Sequence, residues 1–76
     1  MTLDQLTPNQ SARVVEIEGV DAIAIRLMEM GLTEGETVSY VAAAPLGDPV
    51  EYAIRGYRLS LRKTEAARVR VEPLSP

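Results

Sequence analysis

The sequence predicts a mainly β domain with one short helix: five short strands in a small barrel, with the helix inserted after the first strand. Three observations lead there. Short runs rich in Val, Ile and Tyr alternate with charged residues and are separated by turns containing Gly or Pro. Only the stretch from Asp21 to Met30 carries convincing helical periodicity. The 76 residues allow one small domain, residues 1–76, in which short antiparallel strands need closure to avoid exposed edges.

The elements follow in order. Thr2 to Leu6 opens as one capped turn carrying Leu3 and Leu6, and Thr7 to Gln10 is a turn. Ala12–Glu18 is the first strand, with β-branched Val14, Val15 and Ile17. Asp21 is a good N-cap and Gly31 a good residue just past the helix end. At about 100° per residue, Met30, Ile23, Leu27, Ala24 and Met28 form one apolar stripe roughly 160° wide. Ile25 falls on the opposite, polar side, either as a scattered surface residue or as part of a contact patch.

Thr37–Ala42 is the second strand, and the Pro and Gly residues of 43–49 make a loop. Val50–Arg62 reads as a hairpin turning at Arg55-Gly56. That register pairs Ile54 with Tyr57, Tyr52 with Leu59 and Val50 with Leu61, an apolar face throughout. Arg is not ideal in the tightest turns, so a bulged turn is an alternative. All three tyrosines, Tyr40, Tyr52 and Tyr57, fall on the expected core face. Lys63–Ala67 gives a single turn, expected to be 3₁₀ and capped by Thr64. Val69 and Val71 mark the last strand, and 73–76 reads as a flexible tail because Pro73 cannot donate to a ladder. The order fits an SH3-like small barrel with the helix capping one end.

Composition excludes whole classes of chemistry. Without Cys there is no disulfide, zinc-thiolate or iron–sulfur site; without His there is no imidazole ligand or neutral-pH proton shuttle. A His- or Cys-based nucleophilic dyad or triad is therefore excluded, and the chain reads as a non-enzyme. No apolar run reaches the roughly 18–20 residues of a membrane helix, and no signal-like segment opens the chain, so a cytoplasmic location is expected.

Three segments, Arg26-Leu-Met-Glu-Met-Gly-Leu32 followed by Gly35, Pro45-Leu-Gly-Asp-Pro49, and Leu59-Ser-Leu-Arg-Lys-Thr-Glu-Ala66, resemble the ferrous iron transport protein A family, in order and over essentially the whole chain. Glu34 stands where the family usually has Pro, and Asn9-Gln10 where a Gly often closes the first turn. The resemblance implies an SH3-like fold and a small cytosolic accessory protein of ferrous iron uptake. Its implied partner is the cytosolic GTP-binding part of a membrane iron transporter, with the protein peripheral to the membrane through that partner.

On this reading the partner-binding residues are Ile25, Arg26 and Met28 on the outer side of the helix, with Leu46 in the proline-bracketed loop. No cofactor is required and no metal ligand set is assigned. Glu16, Glu18 and Asp21, or Glu34 and Glu36, could hold a divalent ion weakly; otherwise they are a solvated acidic edge. The net charge of −3 hides a polarity. Residues 1–54 carry two cations against nine acids, a net of −7, and residues 55–76 carry six against two, a net of +4. Arg58, Arg62, Arg68 and Arg70 are placed outward, either neutralised across strands or forming a basic face for an acidic partner.

Nucleic-acid binding is the alternative for a small barrel, but the acidic balance and the lack of Trp and Phe oppose it. An aromatic proline-recognising groove is opposed by the inward placement of the tyrosines. An open strand edge leaves a weak homodimer as a further expectation.

Overall fold

The computed structural model describes residues 1–74. The chain runs through a 3₁₀ turn (Leu3–Gln5), β1 (Ser11–Ile17), α1 (Ala22–Glu29), β2 (Thr37–Ala43), β3 (Val50–Ile54), β4 (Tyr57–Leu61), α2 (Lys63–Ala66) and β5 (Val69–Pro73). All five strands join one antiparallel sheet in the order β4-β3-β2-β1-β5. Bulges between Val14 and Glu16, and between Tyr40 and Ala42, interrupt two of the ladders. Such bulges increase local twist and bend the strand that carries them.

The sheet is not closed into the expected barrel, because β4 and β5 remain its two edges. The outer side of β5 is taken by the N-terminal segment. The Val71 N–H donates to the Met1 carbonyl at 2.8 Å, and Thr2 bridges to Arg70. With that edge occupied, closure through β4 is unnecessary, and β4 is left paired to β3 alone.

The β3–β4 hairpin has the expected register throughout: Ile54 with Tyr57, Tyr52 with Leu59, Val50 with Leu61. The turn is the tight two-residue form, not the bulged alternative, with φ of 52° at Arg55 and 84° at Gly56. Positive φ at both positions matches the strand twist, which outweighs the strain at Arg55. Leu59 and Leu61 are buried while Arg58 and Ser60 are exposed.

The core gathers Leu3, Leu6, Val14, Leu27, Leu32, Val38, Tyr52, Ile54, Leu61, Val69 and Val71, with Tyr40 packed edge-on against the Tyr52 ring. No polar or charged residue is buried among the described residues. Tyr52 keeps a partner for its hydroxyl, which donates to the Leu3 carbonyl at 3.3 Å.

Several expectations are corrected. Tyr57 is 45% exposed: it sits beside the turn of the hairpin, where its hydroxyl reaches the Met30 carbonyl instead of the core. The turn at Lys63–Ala66 is α-helical, and its N-cap is Arg62, whose N–H donates to the Glu65 carboxylate at 3.0 Å, where Thr64 was expected. Pro73 continues β5 opposite Ala12, since its missing N–H is not needed there, and the Leu74 N–H donates to the Ser11 carbonyl at 2.9 Å. The rest of the expected tail, Ser75 and Pro76, lies outside the described residues.

Candidate docking surface

The candidate surface is organised by α1 and its two ends. At the start, the Asp21 carboxylate accepts the Ala24 N–H at 3.2 Å, satisfying one of the donors a helix start leaves open. At the end, the Leu32 N–H donates back to the Leu27 carbonyl at 3.2 Å and the Gly31 N–H to Met28 at 3.0 Å. This closure requires the left-handed conformation of Gly31, at φ 105°, and it drives Leu32 into the core. A Cβ at Gly31 would also meet the Tyr57 hydroxyl.

Only Ala24 and Leu27 of α1 are fully buried. Ile23 and Met28, expected within the apolar stripe, are 41% and 43% exposed, and Ile25 is 52% exposed. The sheet offers this helix a narrow ridge to pack on, so the margins of its stripe stay open to solvent. Ile25 and Met28, three residues apart, share a side of the helix. Met28 lines a groove of about 310 Å³ with Val15, Ile17, Leu32 and Thr33, rimmed by Glu16 and Glu34.

Arg26 does not join that side. It forms an ion pair with Glu65 of α2 and lines a second groove, of about 360 Å³, with Met30, Pro49, Ser60, Leu61 and Arg62. The expected contact set is therefore divided: Ile25 and Met28 on one flank, Arg26 on the other. Leu46 is 97% exposed on a loop closed by the Ala44 N–H to the Pro49 carbonyl at 2.9 Å. Asp48 anchors this loop to α2 by accepting the Lys63 N–H at 2.9 Å.

The four arginines of the expected basic face also divide. Arg68 pairs with Asp21 at 2.6 Å and Arg70 with Glu16 at 3.1 Å, whereas Arg58 and Arg62 form no ion pair among the described residues. Each of the four ion pairs found, Arg26–Glu65, Arg55–Glu36, Arg68–Asp21 and Arg70–Glu16, joins residues 1–54 to residues 55–76. Three of them set an acid of the first part against an arginine of the second and so partly neutralise the charge polarity, whereas Arg26–Glu65 runs the other way. The same pairs engage three of the five carboxylates considered for a weak cation site: Glu16 and Asp21 each face an arginine, and so does Glu36, at 3.7 Å, while Glu18 and Glu34 are in none of them. Among the described residues no three acidic side chains come together as a ligand set.

Three titratable groups are displaced for structural reasons: Asp21, Tyr52 and Arg68, the last raised chiefly by its hydrogen bond to Asp21. The Arg68 hydrogen bond, then the Ala24 N–H, hold the Asp21 carboxyl below its ordinary range. Burial, with smaller contributions from Asp4, Tyr40 and Asp48, pushes the Tyr52 phenol up to about 12. The reach of Tyr57 to Met30 and the Arg68–Asp21 pairing were not foreseen. The second links residues 47 positions apart, and nothing in the local pattern of either residue signals it. No helix among the described residues is long and apolar enough to cross a membrane.

Comparison with known proteins agrees with this architecture. A family model described as the FeoA domain matches residues 1–73. A fusion of Fe(2+) transport protein A with the Fe(2+) transporter FeoB, from Porphyromonas gingivalis, is 41% identical over 75 residues, covering 99% of this chain. The chain spans 9% of that relative's length. The crystal structure of Stenotrophomonas maltophilia FeoA complexed with zinc, described as a prokaryotic SH3 domain protein, is 41% identical with a TM-score of 0.84, covering 95% of this chain and 89% of that one. The solution structure of a FeoA-like protein from Clostridium acetobutylicum is 33% identical with a TM-score of 0.92, covering 100% and 88%.

Proposed function

Because this chain belongs to the FeoA domain family, we propose that it acts as a non-catalytic accessory domain of ferrous iron uptake, docking on the cytosolic GTP-binding part of the membrane transporter and biasing one of its states. The observation that carries this reading is the Porphyromonas gingivalis relative, in which a domain 41% identical to this chain is covalently joined to the transporter. Tethering raises effective concentration to the order of millimolar, so a fused pair points to an interaction useful even when intrinsically weak. Biasing one state requires tighter binding to that state than to the other.

The contact surface we assign is the flank of α1 formed by Ile25 and Met28, continued by the apolar groove beneath Met28, with Leu46 as a second contact. Arg26, held by Glu65, shapes the opposite flank instead. The test is a calorimetric titration against the transporter's cytosolic domain, with and without guanine nucleotide. Ile25→Glu with Met28→Glu is expected to weaken binding by about tenfold or more, as buried apolar anchors do. Unchanged affinity in a folded double variant overturns the surface; no binding in any nucleotide state overturns the docking.

A second reading, weak divalent-cation binding by surface carboxylates, draws on the zinc carried by the Stenotrophomonas maltophilia relative. An anaerobic Fe²⁺ titration of the isolated domain tests it. Tight uptake without docking would make the chain a metal carrier or sensor.

A further inference from the structure

We propose that the free edge of β4 is a peptide-binding edge that takes an extended segment carrying acidic residues four positions apart, added as a sixth strand. The proposal goes beyond the docking of α1 and holds whichever protein supplies the segment. The backbone is the first ground. In a two-residue hairpin the closing pair, Ile54 with Tyr57, exchanges hydrogen bonds, and every second pair along the ladder does likewise. Tyr57, Leu59 and Leu61 therefore turn their backbone groups toward β3, and Arg58 and Ser60 turn theirs away. Neither residue has a backbone partner outside the β3 ladder among the described residues.

The side chains are the second ground. Arg58 on the strand and Arg62, in extended conformation just past its end, are exposed, stand two residues either side of Ser60, and have no ion-pair partner among the described residues. Glu51, opposite Ser60 on β3, lies diagonal to Arg58 but forms no pair with it. An antiparallel segment aligned on Ser60 places one residue opposite Arg62 and another, four positions later, opposite Arg58. Opposite charges at those two places are favourable and like charges unfavourable. The residue aligned with Ser60 shares their face, and the two on either side of it face the other way, toward the groove that Leu61, Met30 and Pro49 line. Strand addition of this kind draws affinity from the main chain and selectivity from alternate side chains.

A second copy of this chain is the less suitable occupant. Each two-fold antiparallel register that uses the outward groups of Arg58 and Ser60 sets Arg58 opposite or diagonal to an arginine of the second copy. Charge therefore selects an acidic foreign strand over self-pairing.

The probe is the capped peptide acetyl-Thr-Glu-Val-Thr-Val-Glu-Thr-amide, titrated into the full chain and followed by amide NMR shifts and hydrogen exchange. Expected are shifts centred on residues 57–62, with new exchange protection at the Arg58 and Ser60 amides. Arg58→Ala with Arg62→Ala should weaken binding about tenfold, and Glu51→Gln should strengthen it. N-methylation of the peptide's central Thr should abolish binding, a control that leaves the protein untouched. Equal binding by the N-methylated peptide, or by one with Lys in place of both Glu, would overturn strand addition. So would shifts centred on α1, or a β4-mediated dimer that the peptide does not displace.

Discussion

Arg68, at the entry to β5, holds Asp21, at the start of α1, through a hydrogen bond of 2.6 Å, and the same guanidinium donates to the Glu18 carbonyl at 3.0 Å. One side chain thus fastens the β1–α1 connection to the last strand. It passes so close to Gly19 that any Cβ there would meet its Nη2 atom. The helix that carries the candidate docking flank is positioned by this latch.

The latch makes stability acid-sensitive. Asp21 is lowered chiefly by Arg68, so its ionised form belongs to the folded state. Its contribution is complete above the unfolded carboxylate value and is lost as the pH falls below about 4 toward the lower folded value. Urea midpoints measured from pH 5 to pH 2 should fall for the wild type. They should fall less for Asp21→Asn, which keeps a cap for Ala24 but has no carboxylate to protonate.

Tyr52 produces the opposite slope. Its phenol is raised to about 12, mainly by burial, so the folded state retains a proton that the unfolded chain gives up near pH 10. Stability from this residue is intact below pH 10 and declines as the pH rises toward 12. An ultraviolet titration should show a late tyrosinate component that Tyr52→Phe removes. The same variant loses the bond to the Leu3 carbonyl and should be destabilised by about 0.5–1.5 kcal/mol.

Leu27 and Ile25 separate folding from docking. Leu27 is fully buried, and Leu27→Ala should cost about 2–5 kcal/mol, enough to unfold a domain this small. Ile25→Glu should change stability by no more than about 0.5 kcal/mol. Paired urea melts check both.

Arg55 holds a left-handed backbone at φ 52° in the hairpin turn. Arg55→Asn should raise stability by about 0.5–1 kcal/mol, because Asn tolerates that region with less strain. The loss of the long, 3.7 Å contact between the exposed Arg55 and the partly exposed Glu36 offsets little of this gain. A higher urea midpoint with an unchanged slope is the expected result.

The hairpin was legible because its alternation from Val50 to Leu61 buries one face in a single register, and any slip would bury Arg58 and Arg62. The ends of α1 were legible because Asp21 and Gly31 act locally. The fate of Ile23 and Met28 was not: periodicity gives the direction of an apolar stripe but not the width of the surface waiting to cover it. Closure was not legible either, because it depends on Met1 and Thr2 settling beside β5 at a sequence distance of about seventy residues. Of the candidate site, the exposure of Ile25 and Leu46 could be anticipated, and so could the separation of Arg26 from Met28, which stand about 200° apart round a helix; that Glu65 would engage Arg26 could not.

The placement of β5 beside β1 also sets an order of events in time. The first strand is flanked by β2 on one side and by the last strand on the other. On the ribosome, β1 must therefore wait with a bare side until residues 69–73 have left the exit tunnel. A nascent chain stalled before that point presents the β5 side of β1 as a bare strand edge, the kind of surface that chaperones cover.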